Sequence, residues 1–310
     1  MDDDDPGFFA EALGDGRSLL ILTALVLIAS GGFAIFQAAT GHFLPQDTAY
    51  LGMTAAQLCA IHACRIVHFM VHDRVSFGGV LIGTGIMYLW IALIPLRRRE
   101  SWAWWALAIS GTAGFLSFLA YLGYGYLDTW HGAATVALLP VFVTGLLLTL
   151  DQRRDRIERE PIDLRSRRGV GRALILLATF GIVAAGLTIM TVGMTRVFVP
   201  QDLEFMGLTR EAVAAVNPHL IPLIAHDRAG FGGALVSCGL AMFVSVLCAR
   251  PSRALWQALA MSGLAGFGTA LGVHPAIGYT SATHLAPAVF GCLVFTAGLV
   301  LTTPAASGRR

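Results

Sequence analysis

Long uninterrupted apolar stretches, separated by short polar segments, dominate the chain. A helix needs about 20 apolar residues to cross the hydrocarbon layer of a membrane, and eight stretches approach that length. Their continuity excludes the short, alternating segments of a transmembrane β-barrel. The pattern therefore predicts an all-α integral membrane protein with eight transmembrane helices, at about 18–39, 75–95, 102–122, 131–150, 172–195, 229–249, 254–273 and 284–302.

The composition points to the same environment. Hydrophobic residues make up 56% of the 310 residues and charged residues only 13%, and the mean hydropathy is +0.70. A soluble domain of this size carries far more polar surface. We expect the lipid bilayer as the surroundings, and a membrane complex or a second copy of the chain as partners. The net charge of +2 gives no indication of nucleic-acid binding.

The distribution of arginine predicts the orientation, because all 21 basic residues are arginine and 16 of them fall on one side of the predicted helices. The positive-inside rule places that side in the cytoplasm. Both termini and the charged linker 151–171 are then cytoplasmic. Arginine-only usage is typical of GC-rich bacteria, which suggests the bacterial inner membrane. The acidic start, Asp2 to Asp5, lacks the basic region of a signal peptide, so we keep the first apolar stretch as a helix.

Sequence motifs recur along the chain at a nearly constant offset. Phe-Leu-Pro-Gln-Asp at 43–47 returns as Phe-Val-Pro-Gln-Asp at 198–202, and His-Asp-Arg-Val-Ser-Phe-Gly-Gly at 72–79 returns as His-Asp-Arg-Ala-Gly-Phe-Gly-Gly at 226–233. The recurrence predicts a tandem duplication of a four-helix unit. Because each unit crosses four times, the repeats are parallel and related by a pseudo-twofold axis along the membrane normal. The predicted division is a first repeat at 1–150, a linker at 151–171 and a second repeat at 172–310.

The polar residues kept in both halves are the candidate ligand-binding residues, and the predicted topology places them at the outer ends of the helices. We expect one site in each half. A structural role stays open as well, with Asp73 and Asp227 capping the second helix of each half and the arginines pairing with them or reaching lipid phosphate. The candidates are Asp47, His72, Asp73, Arg74 and His131, and in the second half Asp202, His226, Asp227, Arg228 and His284.

These residue types suit several ligands. Imidazole binds zinc, copper and iron, and a histidine from each of two helices could hold haem. Histidine with arginine could instead bind a quinone or an anionic ligand. The spacing matches no zinc-finger, metalloprotease or c-type haem motif. The cofactor therefore stays open, with a transition metal or haem as candidates, and no catalytic residue is assigned.

A second candidate metal set lies in a cysteine and histidine string at 59–72, of which the second half keeps only the last histidine. If this segment is helical, Cys64, His68 and His72 share one face and could bind a soft metal. In an oxidising compartment, Cys59 and Cys64 could instead form a disulfide.

Together these features predict a multi-pass inner-membrane protein with a duplicated outward-facing His/Asp/Arg site that binds a metal, haem, quinone or anionic ligand, as a subunit of a larger complex. One alternative is a transporter of a small neutral solute, since the predicted spans contain no charged residue in their interior to couple ions. Another is a membrane enzyme that acts on a lipid-borne substrate at the outer face, with histidine and aspartate as acid and base. Whether the protein is an enzyme stays open.

Overall fold

The chain is all-helical in the computed structural model, which describes residues 14–117, 119, 125–154, 157 and 159–304. No strand occurs within these ranges. Their α-helices are α1 (Arg17–Ala39), α2 (Pro45–Leu51), α3 (Ala55–Cys59), α4 (Arg65–Leu93), α5 (Ser101–Ser117), α6 (Thr129–Leu148), α7 (Arg167–Met194), α8 (Pro200–Met206), α9 (Arg210–Val216), α10 (Leu220–Cys248), α11 (Arg253–Ile277) and α12 (Ala282–Thr302).

Seven helices of the described part are long and apolar enough to cross a membrane: α1, α4, α6, α7, α10, α11 and α12. Large apolar side chains on their outer faces are exposed, including Phe36, Leu264 and Phe290, as expected of surfaces that face lipid. The helices indicate a multi-pass membrane protein. The predicted span at 102–122 is not among these seven: α5 covers it as far as Ser117, and its residues 118 and 120–122 lie outside the described residues, so eight spans stay a prediction.

Helices α4 and α10 begin earlier than the sequence predicted. They start at Arg65 and Leu220, whereas the predicted spans start at 75 and 229. The apolar residues before each His-Asp-Arg motif belong to the same helix as those after it, because the three polar residues interrupt the apolar run but not the helix. The prediction that Asp73 and Asp227 cap these helices is therefore wrong, since both lie well inside them.

The earlier starts of α4 and α10 also place charged residues inside these long helices. Asp73 and Arg74 lie in α4, and Asp227 and Arg228 lie in α10. Both helices are in the set long enough to span, so the absence of charge no longer argues against ion coupling. Ionisable groups in such helices are costly and commonly mark function.

The helices pack in a pattern that is the same for both halves. Helix α1 packs on α4 and α6, and α7 packs on α10 and α12. Helices α4 and α10 contact each other at the centre. Helix α5 of the first half packs on α10 of the second, and α11 of the second half packs on α4 of the first. The two halves therefore interlock.

Glycine allows the closest of these contacts. A Cβ atom on Gly31 of α1 would overlap the carbonyl oxygen of Gly78 in α4, and one on Gly186 of α7 would lie 2.6 Å from that of Gly232 in α10. Neither position has room for a side chain. Missing side chains let helices approach closely within a membrane.

Two apolar cores form along the lengths of α4 and α10. The larger one lies among the long helices. The smaller one joins the first turns of α4 and α10 to the short helices α2, α3, α8 and α9, around residues such as Leu58, Phe69 and Val213. The His-Asp-Arg motifs fall between the two cores, which places charged groups under a cap of short helices.

Candidate metal centre

Arg74 is held by an aspartate from each half of the chain. Its Nη1 atom lies 2.9 Å from Oδ2 of Asp47, which is in α2, and its Nε donates to Oδ2 of Asp227 in α10 at 2.9 Å. Asp47 is buried and Asp227 nearly so. A buried guanidinium is tolerated when it is paired in this way.

Arg228 makes the corresponding contacts from the other side. Its Nη2 atom lies 2.7 Å from Oδ2 of Asp202 in α8, and its Nε donates to Oδ2 of Asp73 in α4 at 3.2 Å. Its Nη1 also donates to the carbonyl oxygen of Val197. Each arginine therefore bridges its own half to the opposite half.

Two tyrosines complete these ion pairs. Tyr126 donates to Oδ1 of Asp47 at 2.6 Å, and Tyr279 donates to Oδ1 of Asp202 at 2.8 Å. Burial, and then the adjacent carboxylate, raises the pKa of both phenols well above the usual range. Both hydroxyls therefore stay protonated and act as donors.

Histidines gather into a first group beside this network. One ring nitrogen each from His72 of α4, His274 of α11 and His284 of α12 lies within 4.8 Å of the others. The ring centroids are 4.5 to 5.5 Å apart. The group could hold a metal ion, and it combines one half's His-Asp-Arg helix with the last two helices of the other half.

The Nδ1 atom of each of these histidines already has a partner. His72 Nδ1 lies 2.9 Å from Oδ1 of Asp73, His274 Nδ1 lies 2.6 Å from the carbonyl oxygen of Ala270, and His284 Nδ1 lies 3.0 Å from the hydroxyl of Tyr279. With Nδ1 protonated as the donor, Nε2 keeps its lone pair in each ring. Such outer hydrogen bonds fix the tautomer of metal-binding histidines.

A second group of possible metal ligands also combines residues of both halves. It consists of Asp128, His131 of α6 and His226 of α10, with ligand atoms again within 4.8 Å of one another. His131 Nδ1 is 3.0 Å from His226 Nε2 and 3.0 Å from Oδ2 of Asp128. Burial raises the pKa of Asp128, but the hydrogen bond and charge of His131, together with the backbone hydrogen bonds from Trp130 and His131, outweigh this and hold the pKa below the usual value.

Charge around the two groups favours a cation. When all are ionised, the four aspartates of the bridges carry two more charges than the two arginines that pair with them. Uncompensated charge is expensive in a buried site. A bound metal ion would offset this excess.

The predicted site residues therefore come together, but across the halves and not within each one. His72 lies with His284, and His131 lies with His226, whereas the sequence suggested pairs within one half. The reason is the interlocked packing, which brings α11 and α12 of the second half to α4 of the first.

The predicted set of Cys64, His68 and His72 is not assembled. Cys64 forms a disulfide with Cys59, so its sulfur is not a thiolate ligand. Cys64 also precedes α4 with a left-handed backbone, which removes it from the helical face that the prediction assumed. His72 belongs to the three-histidine group instead.

Sequence reasoning missed several residues of the site. Tyr126 and Tyr279 follow Gly125 and Gly278, whose φ angles of +75° and +76° require glycine, and this Gly-Tyr pair repeats at the same offset as His131 and His284. The repeat could have revealed the tyrosines. It could not reveal His274, which has no histidine counterpart in the first half. The chain matches no protein-family model, no curated protein and no solved structure.

Proposed function

We propose that this protein binds a first-row transition metal ion at the three-histidine centre formed by His72, His274 and His284. One observation carries the proposal: all three Nδ1 atoms are engaged by hydrogen bonds, so Nε2 is the available ligand atom of each of three rings that meet in one small space. Repulsion between lone pairs and loss of hydration make such a cluster unfavourable by itself. Coordination of a metal ion by the three Nε2 atoms would make the arrangement favourable.

The Nε2 atom of His274 supports the proposal most directly. It is buried and has no hydrogen-bond partner among the described residues, and the whole residue is 3% exposed. A buried acceptor without a partner costs about 1–3 kcal/mol. Coordination to a metal would remove that cost.

The arrangement favours a single ion over haem. Two axial histidines of haem bind from opposite faces of the porphyrin, whereas these three rings converge from one region at centroid distances of 4.5 to 5.5 Å. Neutral imidazoles suit Zn²⁺, Cu²⁺ and Fe²⁺. Three protein ligands leave one position of a tetrahedral ion open, so an exchangeable water or small substrate would occupy it.

The wider context of the proposal follows from the sequence. We propose eight spans, a tandem duplication with interlocked halves, and an inner-membrane location with both termini in the cytoplasm. The cap and the histidine centre then face outward. The matching helix contacts of the two halves and the arginine distribution support this arrangement. Association with a larger membrane complex would give the open coordination position a reaction partner.

The test is metal content. The protein is purified in detergent, stripped with a chelator, reloaded anaerobically with Zn²⁺ or Cu²⁺ and desalted, and bound metal is measured by mass spectrometry. We expect His274→Gln to lose one equivalent or to bind at least tenfold more weakly. The matched control is His42→Gln, because His42 is exposed and belongs to neither histidine group.

Folding is checked in parallel by size-exclusion elution and thermal unfolding of both variants in the metal-free state. Unchanged metal content in a folded His274→Gln variant would overturn the proposal. Should that variant fail to fold, His284→Gln at the partly exposed edge of the group provides the same test.

A further inference from the structure

We infer that Asp128, His131 and His226 form a second metal centre, which selects a harder ion of the Fe²⁺ class than the three-histidine centre does. The first centre offers three neutral imidazoles, whereas this one offers two imidazoles and a carboxylate. Two histidines with one carboxylate are the typical ligand set of non-haem Fe²⁺, and they leave several coordination positions open.

The contacts within this group are better satisfied by a cation than by a proton. His131 Nδ1 lies at 3.0 Å from both His226 Nε2 and Asp128 Oδ2. Nδ1 of His131 carries at most one proton, so it can donate a linear hydrogen bond to only one of these two atoms. A metal ion placed among the three atoms binds one lone pair of each.

Asp128 is held in the orientation that a metal ligand needs. Its Oδ1 accepts hydrogen bonds from the backbone N–H groups of Trp130 and His131, at 2.8 and 3.3 Å, and from Nε2 of Gln46 at 3.2 Å. These bonds use Oδ1 for capping α6. Oδ2 is thereby directed to the histidines, and ligating carboxylates are commonly fixed by such outer contacts.

The difference between the two centres comes from two positions of the repeat. At the offset that relates His131 to His284, Asp128 corresponds to Ser281 and His274 corresponds to Tyr121. The three-histidine centre therefore takes its third ligand, His274, from one of these positions, and the second centre takes its third ligand, Asp128, from the other. Because His72 and His284 occupy the same repeat positions as His226 and His131, the third ligand is the one that differs in residue type between the two centres.

The second centre is also the more accessible one. The side chain of His131 is 36% exposed, compared with 7% for His72 and 18% for His284. Open coordination positions near solvent allow water or a small ligand to exchange. We therefore expect faster metal exchange at this centre than at the three-histidine centre.

The experiment uses Asp128→Asn in the full-length protein, because asparagine caps a helix as well as aspartate does but lacks the anionic oxygen. Loaded anaerobically with Co²⁺ and desalted, the wild type should retain two equivalents and Asp128→Asn one. In a mixture of equal Fe²⁺ and Zn²⁺, the ratio of bound iron to zinc should fall in Asp128→Asn and rise in His274→Gln. Ser281→Asn, at the equivalent position of the other half, is the matched control and should retain both equivalents.

The outcomes separate the two centres. Two retained equivalents in a folded Asp128→Asn variant would overturn the inference and leave the three-histidine proposal intact. A shift of the iron-to-zinc ratio in the same direction in both variants would overturn the difference in selectivity. Loss of one equivalent in Asp128→Asn with none lost in His274→Gln would support this centre and contradict the proposed function.

Discussion

The Nε atom of Arg74 donates to Oδ2 of Asp227 at 2.9 Å, across 153 residues of sequence. Arg228 contacts Asp73 in the reciprocal way. These contacts join α4 and α10, the two central helices, at the level of the histidines. The ion pairs are therefore both a connection between the halves and the frame on which His72 and His226, their immediate neighbours in sequence, are positioned.

Removing one arginine should destabilise the protein strongly. We expect Arg228→Met to lower the free energy of unfolding by about 3–5 kcal/mol, because Asp73 and Asp202 would remain buried without their cation. The measurement is the thermal or denaturant midpoint in detergent. Arg210→Met, at an exposed position, should leave that midpoint within error. Equal midpoints for the two variants would contradict a structural role for the ion pairs.

Neighbouring glycines of α1 should respond differently to the same change. Gly31→Val places a side chain against the backbone of α4, whereas nothing lies within 4 Å of a Cβ on Gly32. Overpacking of this kind costs about 1–3 kcal/mol. Thermal unfolding in detergent should show a clear loss for Gly31→Val and little change for Gly32→Val. The same midpoint in both would contradict the close packing of α1 on α4.

Tyr279 should tune metal binding without being a ligand. Its hydroxyl contacts both Asp202 and His284 Nδ1, so Tyr279→Phe removes an outer hydrogen bond of the three-histidine centre. Loss of such a bond commonly weakens metal affinity 10- to 100-fold. Competition with a chelator would measure it. Tyr126→Phe removes the equivalent bond to Asp47, and the three-histidine centre should then keep its affinity.

Sequence alone could predict the features that lie within one segment of the chain, but not the contacts between distant segments. The apolar runs predicted the long helices, because an apolar run is a pattern within one segment. The repeat also singled out His72 and His284. It could not show that these two meet, since contacts between halves depend on packing. It also missed the true start of α4, because the polar motif interrupts the apolar pattern.

The disulfide between Cys59 and Cys64 should be separable from the metal chemistry. Without reduction, alkylation of the denatured protein should label three cysteines, Cys238, Cys248 and Cys292, and after reduction all five. We expect Cys59→Ser/Cys64→Ser to keep its bound metal, because neither sulfur belongs to the histidine groups. Loss of metal in that variant would restore the cysteine and histidine string as a candidate ligand set.

The predicted span at 102–122, which brings the total to eight, has a testable topological consequence. If α5 crosses the membrane, a reporter inserted near Glu100 is cytoplasmic and one inserted near Leu127 is on the opposite side. Reporters of the two compartments, alkaline phosphatase and green fluorescent protein, would measure this. A reporter in the linker 151–171 should again be cytoplasmic. The same compartment for Glu100 and Leu127 would contradict eight spans.

The crossed pairing of histidines also bears on how such a protein could arise. Under the duplication we propose, a single four-helix ancestor could build neither group by itself, because His72 needs the last helix of the opposite half. Two identical subunits would have been required, and symmetry would have forced both metal centres to be the same. Joining the two copies in one chain removed that constraint. The two equivalent positions could then differ, with aspartate at 128 and serine at 281. One ancestral homodimer could in this way give two centres with separate chemistries.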